Sequence, residues 1–261
     1  MILAAGAFDA WRVVIDPGWA VAIVAFGAWY LWAAAVLGAP AWRRVCFVAG
    51  LLVIALGLLS PIEHVALDAM LSFHLLQNVM LADWAPPLLV LGLTAPMAAR
   101  LERSRIVRTA VHPAFALPYW LCVWYVVHIP AVYGYALDHR WPLGIEHLLF
   151  LTAGLAFWWP LLAPGHLAPA GRLIYVSAAF FLAAPVAVLI MLAQHTVYPY
   201  YDTTPHLFGW TPQEDQQLGG ILMAFEQSVL LFVVFAVSFV HLMEQEDSDV
   251  PERAVERPRH P

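Results

Sequence analysis

Lysine is absent from this 261-residue chain, and charged residues of every kind make up only 11% of it. A soluble domain carries roughly a quarter, so the chain has too little polar surface to solvate one. The scarcity of positive charge also excludes nucleic acid as a partner, because no basic face interleaved with aromatics can be drawn. Cysteine is nearly missing. Cys46 and Cys122 each stand in an apolar stretch and neither belongs to a CxxC pair, which excludes a disulfide framework and a zinc ribbon. The signatures GxSxG, HExxH and GxxxxGK[ST] are lacking, so the familiar hydrolase and phosphate-loop readings fall away and a non-enzymatic role is expected. Met1 to Ala7 carry no basic residue and only a short apolar run. No cleaved signal is expected there, and the first span should serve as an uncleaved one.

What the chain has in abundance is apolar surface. Apolar residues account for 62% of it, and the mean hydropathy is +0.75. Twelve Trp, nine Tyr and 14 Phe suit aromatic belts at two membrane interfaces. Crossing the hydrocarbon core takes about 20 mostly apolar residues in a helix. Seven segments meet or approach that length: Trp19–Leu37, Val45–Leu59, Met70–Leu93, Phe115–Leu137, Ile145–Leu162, Leu173–Gln194 and Leu218–Leu242. The expected fold is all-α, an integral bundle of about seven transmembrane helices in the lipid bilayer. Residues 1–243 form its single domain, and 244–261, rich in charge and proline, form a disordered cytoplasmic tail.

All twelve basic residues are arginine, and they set the direction. With the N-terminus outside, the inner side receives ten of them and the outer side only Arg12 and Arg140. That asymmetry predicts an N-out, C-in, multi-pass protein of the bacterial cytoplasmic (inner) membrane.

On this topology seven of the eleven histidines reach the outer half: His64, His74, His128, His139, His147, His195 and His206. His74 lies about 6 Å into the third span at 1.5 Å per residue, with Asn78 one turn further on the same face. Glu146 and His147 open the fifth span, His128 closes the fourth before Pro130, and His195 follows Met191 by one turn at the end of the sixth. Ionisable groups inside a membrane are costly and usually functional. Imidazole with thioether favours copper, particularly Cu(I), whereas imidazole alone also fits haem iron or zinc. The metal-site candidates are therefore His74, His128 and His147, extended by His139, His195 and Met191. Loop histidines equally suit lipid headgroups, and methionines equally suit core packing. Glu146, Asp215 and Glu226 are polar neighbours of that half. Asp83, deep in the third span before Pro86-Pro87, is either a proton-handling group or the partner of an inner arginine.

Three blocks resemble the CtaG-type family of cytochrome c oxidase assembly factors. They are His74-Leu-Leu-Gln77 with Ala85-Pro-Pro-Leu-Leu-Val-Leu-Gly92; His128-Ile-Pro130 through Asp138-His139 and Glu146-His147 to Phe157-Trp-Trp-Pro160; and Tyr198-Pro-Tyr200 with Asp215-Gln216-Gln217, Gly219-Gly220 and Met223. The family pattern has a second histidine four residues after the one matched by His74. Asn78, a poor copper ligand, stands there instead. The resemblance implies a part in maturing a haem–copper oxidase, with an oxidase subunit as partner and copper as the metal delivered or retained. Two other readings of the same histidines are a haem-binding or quinone-reactive electron-transfer protein and a copper transporter. The absence of paired repeats with broken helices weighs against the transporter.

Overall fold

Helix formation starts where the chain can satisfy its first amides. Asp16 accepts from the amides of Gly18 (2.7 Å) and Trp19 (3.1 Å), and Pro17 opens helix α1, Pro17–Val36; a proline at the first position loses no helical hydrogen bond. The computed structural model of the protein describes residues 8–163 and 165–255, with side chains through residue 247. Helices α2 (Ala41–Leu58) and α3 (Pro61–Asp68) follow. The third span is α4 (Leu71–Val79), a π-helical turn (Met80–Trp84) and α5 (Ala85–Gly92) in succession. Short helices α6 (Ala95–Leu101) and α7 (Arg105–Ala110) carry three of the arginines assigned to the inner side, with Arg103 between them. Then come α8 (Pro113–Val127), α9 (Pro130–Asp138), α10 (Arg140–Leu162), α11 (Pro169–Leu192) and α12 (Pro212–Val255). No strand occurs among the described residues.

Six spans are long and apolar enough to cross a membrane, and the α8–α9 pair supplies a seventh if it is one bent span. The span expected over Phe115–Leu137 is broken at His128-Ile129, and its halves meet at 74°. Pro130 is the cause: it excludes helical geometry from the residue before it, and Ile129 is extended (φ −64°, ψ 123°). Helix α12 continues to Val255, through the first part of the segment expected to be a disordered tail; residues 256–261 lie outside the described ones.

The third span is the hub. In its most apolar 18-residue stretch 72% of the residues are buried, against 17% in that of α1 and 22% in that of α12, and its parts touch α2, α3, α10 and α12. Pro86 has no amide to offer the carbonyl of Ala82 four residues earlier, and the π-helical turn absorbs the mismatch. Helix α10 approaches at that point through Gly154, where an added Cβ would lie 2.3 Å from the Ala82 carbonyl oxygen. Gly154→Ala must therefore push the two helices apart. Overpacking of this kind costs about 1–3 kcal/mol, and thermal unfolding in detergent should show the loss. The other end of the span is held by Arg43, whose guanidinium donates to the carbonyls of Leu91 (2.9 Å) and Leu93. A cation there also suits the negative end of the helix dipole.

Candidate functional site

The site is built on the first turn of α4. Its free amides are capped from the far end of the sequence: Asp215, in the first turn of α12, accepts from Leu71 N (2.7 Å), Ser72 N (3.2 Å) and the Ser72 hydroxyl. Four such amides lack partners at any helix start, and a carboxylate also suits the positive end of the dipole. The cap fixes the rotation of α4, and with it His74, which is fully buried.

A hydrogen-bond chain assigns the tautomer of His74. The Tyr201 hydroxyl donates its only proton to the Ala66 carbonyl (2.7 Å). The His74 Nδ1, 3.1 Å from that hydroxyl, must then be the donor, which leaves the neutral ring with a bare lone pair on Nε2. His128 resolves in the same way. Its Nδ1 lies 2.7 Å from the Trp124 carbonyl, which can only accept, so its Nε2 is also bare. Helix α10 brings Glu146 and His147 against α4. Glu146 Oε1 is 3.4 Å from His74 Nε2, and the rings of His74 and His147 are 6.2 Å apart.

The polar atoms of this group are unpartnered. His74 Nε2, His128 Nε2, His147 Nε2, both Glu146 oxygens, the Tyr133 hydroxyl and both ends of the Asn78 amide are buried without a hydrogen bond among the described residues. Each such atom costs about 1–3 kcal/mol, so the group is poorly explained as a stabilising core.

The structure joins some candidates and not others. His74, Glu146 and His147 form one contact group. His128 is linked to that group through Tyr133, whose ring lies 4.9 Å from that of His74 and 6.2 Å from that of His128. His139 is exposed and bonded to the Tyr135 carbonyl (3.0 Å). His195 is exposed too; its backbone carbonyl accepts from Gln216 (3.2 Å). Met191 is half-buried where α11 passes Gly220. Asp83 and Glu226 lie on the π-helical turn and on α12. Among the described residues, no three His, Cys, Asp or Glu side chains stand in a ready-made metal-binding arrangement.

Three residues of the site went unread in the sequence: Tyr133, Tyr201 and Glu63. The run Tyr198-Pro-Tyr-Tyr201 was the available signal for Tyr201. Glu63, on α3, accepts from Gln77, which also donates to the Gly57 carbonyl (2.8 Å). Burial pushes the Glu63 carboxyl above its ordinary value of 4.5, and the Gln77 bond opposes the rise. The folded state thus holds the Glu63 proton more tightly than the unfolded state does. Stability should fall as pH rises from 4.5 through the raised value. In Glu63→Gln, unfolding followed against pH should lack that decline.

Glu63 also lines a cavity of about 370 Å³ with Arg12, Asp16, His64, Arg140 and His147. His147 therefore faces both this polar vestibule and the buried group. Fold and site together define a multi-span helical membrane protein with a buried imidazole–carboxylate group towards one end of the bundle. The family model of the cytochrome c oxidase caa3 assembly factor matches residues 18–245, and the chain belongs to that family. No curated protein and no solved structure matches the chain.

Proposed function

We propose that this protein assists assembly of a haem–copper cytochrome c oxidase in the bacterial cytoplasmic membrane by holding Cu(I) at the His74–Glu146–His147 group and passing it to an oxidase subunit. The observation that carries this reading is the set of buried imidazole nitrogens without hydrogen bonds, grouped with a buried Glu146 whose carboxyl stands 3.4 Å from His74 Nε2. A carboxylate cannot be buried alone without heavy cost. A monovalent cation beside Glu146 makes a neutral pair, whereas a divalent one leaves a net charge in a low dielectric. Cu(I) accepts as few as two nitrogen donors, so His74 and His147 suffice. His128, beyond Tyr133, serves as a further donor along the route.

The residues around the metal position its ligands. The Tyr201 and Ala66 bonds hold the His74 ring with Nε2 inward, the role that outer hydrogen bonds play for metal-bound histidines. The vestibule of Arg12, Asp16, Glu63, His64 and Arg140 gives an ion a polar approach to His147. The arginine asymmetry places that approach on the outer side. Haem is the weaker reading, because the Tyr133 ring packs against both His74 and His128. In cells lacking this chain, the oxidase should accumulate with less copper per haem, and added copper should restore the ratio. An unchanged ratio would overturn the delivery role.

A further inference from the structure

We propose that His64 is an entry ligand: it receives Cu(I) in the polar vestibule and passes it on to His147. The inference rests on the copper reading above and extends it to a residue outside the buried group.

His64 belongs to α3 and is buried. Its ring is held from two sides. Phe8 stacks on it with 4.7 Å between ring centres, and Nδ1 lies 2.7 Å from Oδ2 of Asp68, one helical turn further along. The Asp68 carboxylate accepts, so Nδ1 donates and the neutral ring keeps its lone pair on Nε2. No hydrogen bond engages that nitrogen among the described residues. A carboxylate behind the donor nitrogen is the arrangement that orients metal-bound histidines and raises their basicity.

Burial and the cavity separate this pair from an ordinary i, i+4 ion pair, which stabilises the solvent-facing side of a helix. Here the imidazole lines the vestibule of about 370 Å³ together with Glu63, Asp68 and His147. The Nε2 atoms of His74, His128 and His147 are sealed in the interior, and that of His64 is not. An ion in the vestibule can therefore reach the His64 lone pair without any movement of the bundle. His147 is the joint between the two compartments. Its Nε2 is sealed within the buried group, its Nδ1 is not, and its ring lines the vestibule.

Transfer of Cu(I) from its bicinchoninate complex to the purified full chain, followed without oxygen by the loss of the complex's colour, separates entry from retention. His64→Ala should load about tenfold more slowly than wild type, within the range over which association rates differ among variants of one site. Its final occupancy should equal that of wild type, because the buried ligands are intact. Asp68→Asn should load at an intermediate rate, and His139→Ala at the wild-type rate. Diethyl pyrocarbonate, which acylates accessible neutral imidazoles, reads the wild type without a variant. Peptide mass spectrometry should find His64 modified, and Cu(I) in excess over the buried group should suppress the modification. A wild-type loading rate in folded His64→Ala, a loss of final occupancy at an unchanged rate, or His64 modification indifferent to Cu(I) overturns the entry role. A wild type that takes up no Cu(I) overturns the copper reading itself, and the entry role with it.

Discussion

Alanine at His74 is expected to cut the copper content of the assembled oxidase at least about tenfold, whereas alanine at His139 should leave it unchanged. His74 is the residue on which the site's contacts converge: Tyr201 on one nitrogen, Glu146 facing the other, and His147 beside the ring. Removing it deletes a proposed ligand and the imidazole 3.4 Å from Glu146. Tyr201→Phe should be intermediate. It keeps every proposed ligand but removes the group that fixes the His74 tautomer, and lost outer bonds of this type cost about 10–100-fold in metal affinity. Glu146→Gln separates charge from shape, since it weakens a cation site while filling the same volume. Copper per haem in purified oxidase, measured across the four variants, should rank His74→Ala lowest, Tyr201→Phe and Glu146→Gln between, and His139→Ala with wild type. A flat ranking would mean that the buried group has no part in delivery.

Asp215→Ala is expected to be the most damaging single change for the fold, at about 3–5 kcal/mol. The residue is fully buried and carries three hydrogen bonds to the first turn of α4. Its removal leaves two amides and a hydroxyl unpaired in the interior, at about 1–3 kcal/mol each. Ser72→Ala removes only the hydroxyl bond and should cost about 1 kcal/mol. Unfolding in mixed micelles, followed by circular dichroism, should separate the two. Near-equal losses would show that the backbone cap contributes little. Because α4 carries His74, Asp215→Ala should also reduce copper binding in whatever fraction still folds, so binding must be scored per folded protein.

The spans were legible because lipid leaves a helix few alternatives: long apolar runs and the arginine pattern read directly as a seven-span bundle. Pro130 announced a break after His128, but nothing in local sequence sets an angle of 74°; packing against α10 and α11 does. His74, Glu146 and His147 were legible as residues of one depth. Which of them touch depends on α4 lying against α10, a contact that spacing along the chain does not encode. The same limit hid Tyr133, which reads as an ordinary aromatic and yet packs against both His74 and His128. Asp215 was legible as a polar residue near the seventh span. Its partners on α4 lie more than 140 positions away in sequence, out of reach of any local pattern.

The central claim is that the buried histidines hold copper, and Cu(I) loading of the purified full chain against a competing chelator tests it most directly. The wild-type protein should retain a single tightly held Cu(I), and the His74/His128/His147 triple alanine variant should retain none at the same chelator concentration. Equal retention by the two folded proteins would contradict the account.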